Sequence, residues 1–119
     1  MVLGIGCDII KISRVARAIN NEAFVKKYFT ASEIEMLMSK NAESYAGNFA
    51  AKEAVAKALG TGFSGFFPDC IEVLRDKNKK PVVNLYGKAR EIAEVQGIRE
   101  ILVSISHCNE YAIAYAIAI

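Results

Sequence analysis

Three side chains of this sequence have types and spacing that suggest phosphate chemistry. Glu53 and Lys57 stand one helical turn apart in Gly47-Asn48-Phe49-Ala50-Ala51-Lys52-Glu53-Ala54-Val55-Ala56-Lys57-Ala58-Leu59-Gly60. Positions i and i+4 share a helix face, so a carboxylate and an ammonium are held in fixed relation. Taken alone, the pair also fits an ordinary surface ion pair. A second carboxylate, Asp8, lies in Gly4-Ile5-Gly6-Cys7-Asp8-Ile9-Ile10. An ionised Asp in so apolar a run needs a partner, a hydrogen bond or a cation, or else caps the turn that follows. Two carboxylates with few other ligands suit Mg²⁺, which keeps several waters and takes its remaining oxygens from substrate phosphates. A lysine beside such a site can offset the charge that develops as a phosphoryl group moves. Gly60-Thr61-Gly62 and Gly65 form a loop whose backbone N–H groups could approach a phosphate. His107 is the only histidine and fits either a structural turn or a site.

The elements that must position these groups follow from local patterns. Val2 to Ile10 reads as a strand. Ser13 is placed to cap a helix carrying Arg14 and Arg17, ended by Asn20-Asn21. A short helix spans Glu22 to Tyr28, and Thr30-Ala31-Ser32-Glu33 is a capping box opening a third helix to Ser39. Asn41 caps the central helix, Ala42 to Leu59, and Gly60 stands at its C-terminal glycine position. Cys70 to Arg75 and Pro81 to Leu85 form a hairpin, followed by a helix from Gly87 to Gln96. Ile101 to Ser106 and Tyr111 to Ile119 form a second hairpin, with His107 to Glu110 as the turn. In its last strand Ala112, Ala114, Ala116 and Ala118 line one face, while Tyr111, Ile113, Tyr115, Ile117 and Ile119 line the other. The alanine face calls for close contact with the alanine-rich helix. The large face has few elements left to cover it, which points to burial between identical subunits. The fold class is therefore α+β, a mostly antiparallel sheet packed on a long central helix, in one domain over residues 1–119.

Composition narrows the function classes. Of 119 residues, 53% are hydrophobic and 24% charged, with a net charge of +2. That is an ordered globular chain without the charge footprint of a nucleic-acid binder. No run approaches the roughly 18 apolar residues of a membrane span. The first ten residues lack a basic leader and a cleavage site, which argues against a secretory signal. Three scattered cysteines without ligand spacing read as reduced thiols, and so as a cytoplasmic protein.

Gly6-Cys7-Asp8-Ile9 with Arg14, Phe49-Ala50-Ala51-Lys52-Glu53-Ala54 with Lys57-Ala58 and Gly60-Thr61-Gly62, and later Ser104-Ile105-Ser106-His107 with Tyr111-Ala112, resemble the holo-[acyl-carrier-protein] synthase family, the small 4′-phosphopantetheinyl transferases. The likeness spans almost the whole chain. It implies a Mg²⁺-dependent, homotrimeric enzyme of fatty acid biosynthesis with sites shared at subunit boundaries. Such an enzyme moves the phosphopantetheine arm of coenzyme A to a serine of apo-acyl carrier protein and releases adenosine 3′,5′-bisphosphate. By the same resemblance Asp8 and Glu53 hold the metal and Lys57 stabilises charge, while the base is Glu53 or a metal-bound water. Gly60, Thr61 and Gly62 line the nucleotide pocket together with His107, and Arg14 and Arg17 face the carrier protein. The family pattern carries arginine just before Phe49. Here Asn48 stands there, removing a cation of the kind that contacts a coenzyme A phosphate. Two other readings are a non-enzymatic oligomeric binder of coenzyme A or carrier protein, and a broad-specificity transferase for peptide or polyketide carriers. The first needs no metal carboxylates; the second resembles two such domains fused in one chain.

Overall fold

Alanine at every second position decides where β5 (Tyr111–Ala118) packs. In the computed structural model, which describes residues 1–119, Ala112, Ala114, Ala116 and Ala118 are all buried. Their partner is α4 (Ala42–Ala58), the helix rich in alanine, as the side-chain sizes anticipate. β5 lies between β1 (Gly4–Lys11) and β4 (Ile101–His107) in an antiparallel sheet of order β1-β5-β4. A second antiparallel pair, β2 (Ile71–Arg75) with β3 (Pro81–Leu85), adjoins it through β3 and β4. Three short helices, α1 (Ile12–Ala18), α2 (Glu22–Tyr28) and α3 (Ala31–Leu37), link β1 to α4. α5 (Gly87–Val95) follows β3.

Most local signals act as read. Asn21, Thr30 and Asn41 accept bonds from the first-turn amides of α2, α3 and α4, and Thr30 with Glu33 closes the capping box. Gly60 takes φ +84° just past α4, where only glycine is comfortable. Ser13 is not the cap of α1: the helix begins at Ile12 directly from the strand, and Lys11 occupies the cap position without a side-chain bond. β1 is shifted from its expected span and ends at Lys11, because its pairing with β5 runs unbroken to Lys11 opposite Tyr111. α3 stops at Leu37 rather than Ser39. His107 is not in a turn; it is the last residue of β4, paired with Ala112.

β1 approaches α4 closely enough to exclude any side chain. A Cβ added at Gly4 would fall 2.0 Å from the carbonyl oxygen of Ala58, and one at Gly6 would fall 2.0 Å from that of Ala54. From Ala46 onward α4 is buried except at Phe49, Glu53 and Lys57, which share one stripe. The shared face expected for Glu53 and Lys57 from their spacing thus stays partly open.

Gly6→Ala is expected to lose about 3 kcal/mol of stability, since the strand must retreat from the helix backbone. Gly65→Ala, at φ +92° with open space around it, is expected to cost about 1 kcal/mol from backbone conformation alone. Urea denaturation of both variants checks this; equal losses would show that the close contact does not matter.

Candidate active site

Alternation along β1 turns Gly4, Gly6 and Asp8 toward α4 and Ile5, Cys7 and Ile9 away from it. Asp8 therefore meets the open stripe of the helix. Lys57 Nζ lies 3.3 Å from Asp8 Oδ1 and donates to the carbonyl of Cys7 at 3.0 Å. β1 is an edge strand of its sheet, so Lys57 reaches around that edge. The Asp8 side chain is 17% exposed and that of Lys57 52%, leaving the pair accessible to a ligand.

Glu53 has a different partner. The phenol of Tyr28, at the end of α2, donates to Glu53 Oε1 at 2.7 Å. Tyr28 stacks on Phe49 with centroids 4.5 Å apart and planes 12° from parallel, and on Phe24 at 5.3 Å. Burial pushes the phenol pKa far up, and the hydrogen bond and charge of Glu53, with the charge of Asp8, push it further. The phenol is thus a donor at neutral pH and not a base.

Oxygen donors from two carboxylates suit a hard cation that fills its remaining positions from water or substrate, as Mg²⁺ does. No group of three or more His, Cys, Asp or Glu residues could enclose an ion. Two carboxylates do not make an all-protein zinc cage, and a hard cation held by them would take most of its oxygens from water or substrate.

The remaining candidates divide between the ends of α4. The amides of Gly60 and Gly62 bond to the carbonyls of Lys57 and Ala56 and close the helix, so they are not the free donors the glycine loop suggested. Thr61 Oγ1 donates to the Gly62 carbonyl. His107 lies at the other end, in a cleft of about 360 Å³ shared with Ser44, Gly47, Arg75, Lys79 and Ser104. Gly47 and Gly60 are 13 residues apart, about 20 Å of helix. One chain therefore does not bring His107 and the glycine loop together. Ile12 and Val15 anchor α1 against Ala46 and Ala112, which leaves Arg14 and Arg17 on its solvent side. A cleft of about 280 Å³ beside Lys57 is lined by Ile5, Gly6, Cys7 and Tyr115. Another cleft, of about 400 Å³ between β3, α5 and the start of β4, contains none of these residues.

A model of the 4′-phosphopantetheinyl transferase superfamily matches residues 4–116. The chain belongs to that family. It is 51% identical to the holo-[acyl-carrier-protein] synthase of Clostridium botulinum (strain Eklund 17B / Type B), over 98% of this chain and 97% of that one. The crystal structure of the Neisseria meningitidis holo-[acyl-carrier-protein] synthase matches with TM-score 0.89 at 34% identity, covering 100% and 99% of the two chains. The Helicobacter pylori enzyme in complex with coenzyme A matches with TM-score 0.86 at 30% identity, covering 97% and 99%. Within this phosphopantetheinyl transferase frame, sequence reasoning missed Tyr28, Arg75 and Lys79. The stacking of Tyr28 on Phe49 depends on tertiary docking of α2, and the two cations come together only when the β2–β3 hairpin folds.

Asn48 is also recast. It is fully buried, its Nδ2 donating to Glu33 Oε2 at 3.0 Å and to the Val73 carbonyl at 2.9 Å. Its Oδ1 has no partner. Position 48 therefore faces the polar core, not a coenzyme surface. Lys52 joins Glu33 there at 2.6 Å with both side chains fully buried, and burial pulls the Lys52 pKa down against the raising effect of Glu33. Next to them Glu72 accepts from Thr30, Asn84 and Tyr86. Burial pushes the Glu72 carboxyl up, but those three donors and the charge of Lys52 outweigh it and hold the pKa below 4.5.

A depressed carboxyl pKa means that Glu72 contributes stability above the ordinary value of 4.5, lost as the pH falls through the folded value. Tyr86→Phe removes one donor and is expected to cost about 1 kcal/mol at pH 7, the partly exposed position limiting the loss. The deficit should shrink below pH 4.5. Denaturant titrations of both proteins at pH 7 and pH 3 check the sign; a deficit that grows on acidification would refute it.

Proposed function

We propose that this chain transfers the 4′-phosphopantetheine group of coenzyme A to a serine of apo-acyl carrier protein, releasing adenosine 3′,5′-bisphosphate, in fatty acid biosynthesis. The observation that carries the reading is the contact of Asp8 with Lys57 where β1 meets α4, with Glu53 one turn before Lys57 on the same helix face, in a chain half identical to a holo-[acyl-carrier-protein] synthase over nearly its full length. Residues 1–119 act as one domain, and three free cysteines fit the reducing cytoplasm.

In the transfer, the serine oxygen forms a bond to the β-phosphorus of coenzyme A. The bond from that phosphorus to the bridging oxygen breaks, the nucleotide leaves with the electron pair, and the hydroxyl proton is released. Asp8 and Glu53 would hold Mg²⁺, which when bound supplies charge neutralisation across the diphosphate. Lys57, already turned toward Asp8, brings a positive charge to the phosphoryl oxygens as negative charge builds there. The cleft beside Lys57 admits the substrate. Arg75 and Lys79 bring two positive charges to the His107 cleft against the one carboxylate of Glu43, a balance that favours a phosphorylated nucleotide, and Thr61 with its flanking glycines, at the far end of α4, would edge that pocket only from a second copy. Arg14 and Arg17 present two exposed cations to an acidic carrier protein, raising its encounter rate.

The working unit is a homotrimer. The outer sheet face carries Ile5 and Ile9 at 60% and 61% exposure beside Ile113 at 44% and Tyr115 at 47%, with Leu102 and Ile117 in register. Soluble monomers seldom leave so contiguous an apolar face in water. Tyr115 and Ile5 also wall the Lys57 cleft, so a second copy covering this face would complete it. The same copy could bring its His107 cleft toward the glycine loop, which one chain cannot do.

Incubation with apo-carrier protein, coenzyme A and Mg²⁺ is expected to add phosphopantetheine to the carrier serine, read by mass spectrometry. Asp8→Ala and Glu53→Ala should each slow this about a hundredfold or more with unchanged circular dichroism. A wild-type rate for either at limiting Mg²⁺ would sink the assignment. For the assembly, sedimentation equilibrium should return three times the 13.0 kDa chain mass. Ile113→Glu with Ile117→Glu should give a monomer or aggregate of little activity. A micromolar wild-type monomer would overturn the trimer.

A further inference from the structure

We propose that Tyr28 is a positioning residue for Glu53, holding one carboxylate oxygen so that the other alone is presented to the cation. The proposal rests on the assignment of Glu53 to the cation site. Its basis is the bond of the Tyr28 phenol to Glu53 Oε1 at 2.7 Å, made between α2 and α4 across 25 residues of sequence. A carboxylate only accepts, so the phenol donates and Oε1 is occupied. Oε2 is left as the open oxygen.

The geometry around the phenol is rigid. Its ring is stacked on Phe49 at 4.5 Å and on Phe24 at 5.3 Å, and meets Phe63 edge-on at 6.1 Å. The next residue, Phe29, is buried, and the one after, Thr30, donates to Glu72 at 2.6 Å. A tyrosine has two side-chain torsions, and packing on these sides sets both. The hydroxyl is thus a fixed point against which Glu53 is held.

The chemistry of the donor matters as much as its position. Asp8 is held by a cation, Lys57, which offsets part of its charge. Glu53 is held by a neutral O–H that leaves the negative charge whole, as attraction of a divalent ion requires. A lysine or arginine in place of Tyr28 would orient Glu53 equally well but compete with the metal.

A tether joining α2 to α4 and nothing more would make the same bond, and the two roles separate in Tyr28→Phe, which keeps the ring stack. The probe is Mn²⁺, followed by electron paramagnetic resonance in the presence of coenzyme A and at a temperature where every variant is folded. Tyr28→Phe is expected to weaken Mn²⁺ binding about tenfold, as loss of a group orienting a metal ligand does. kcat at limiting Mg²⁺ should fall by a similar factor and recover in excess Mg²⁺, with the KM for carrier protein within about twofold. Mn²⁺ affinity and kcat both within twofold of wild type would overturn the proposal and leave a tether, whatever happens to the melting temperature. Glu53→Gln serves as the control. If it binds Mn²⁺ as wild type does, the cation-site assignment has failed; if it loses binding while Tyr28→Phe does not, only the positioning role has failed.

Discussion

The approach of β1 to α4, close enough that only hydrogen fits between Gly4 or Gly6 and the helix carbonyls, is the constraint on which the rest of the structure depends. Asp8, Glu53 and Lys57 each sit within a residue or two of that contact. Asp8 is two residues beyond Gly6 on the same strand face. Glu53 precedes Ala54, and Lys57 precedes Ala58, the two residues whose carbonyls meet the glycines. Side chains of ordinary size between strand and helix would separate Asp8 from Glu53 and Lys57 by the thickness they occupied. A displacement of about 1 Å is enough to cost orders of magnitude in a reaction that depends on positioning. Glycine and alanine are weak contributors to a hydrophobic core. Here their small size is what brings two backbones, and hence two carboxylates, together.

The buried polar cluster serves the same end from the other side of the helix. Lys52 and Glu53 are adjacent, so their side chains leave α4 about 100° apart. Lys52 is fixed inward by Glu33, and Glu33 is itself held by the amides of Thr30 and Val73 and by Asn48. Those bonds tie α3, α4 and β2 into one register. Once Lys52 is inside, the rotation of the helix about its axis is settled and Glu53 must face the open stripe. A buried ion pair is a poor source of net stability, because stripping water from two charges offsets most of their attraction. The unpaired Asn48 Oδ1 adds a further cost. What the cluster supplies is a single allowed orientation of α4.

Much of this was legible in the residues, and the reasons are physical. Caps, the alternation in β5 and the i, i+4 spacing on α4 are local rules, and local rules survive into the folded chain. The pairing of an alanine strand face with an alanine helix is also local, since nothing else in the sequence matches it in size. What escaped was tertiary. Tyr28 looked like the last residue of a short helix, and its role depends on where α2 docks. Asn48 looked like a vacancy for a cation, because the sequence does not show that position 48 turns toward Glu33. The glycine loop looked like a phosphate cradle, yet two of its amides were already needed to end α4. Whether a backbone N–H is free is settled by the helix it terminates, and only coordinates reveal that.

The two-residue period of β5 has one more consequence. By putting alanine at each even position it brings the sheet down onto α4. The residues between them, from Tyr111 to Ile117, are turned to the outer surface. Ile5 and Ile9 of β1 then fall opposite Ile117 and Ile113, and Leu102 of β4 falls opposite Ile117 from the other side. Register thus gathers isolated apolar side chains into one continuous face. The face cannot be made polar at odd positions without losing cover for any partner seated on it. Nor can it be buried within the chain, since α4 already occupies the sheet's other side. The close packing that assembles Asp8, Glu53 and Lys57 inside one subunit therefore creates, through the same strand, the surface by which a second copy would close the cleft at Lys57.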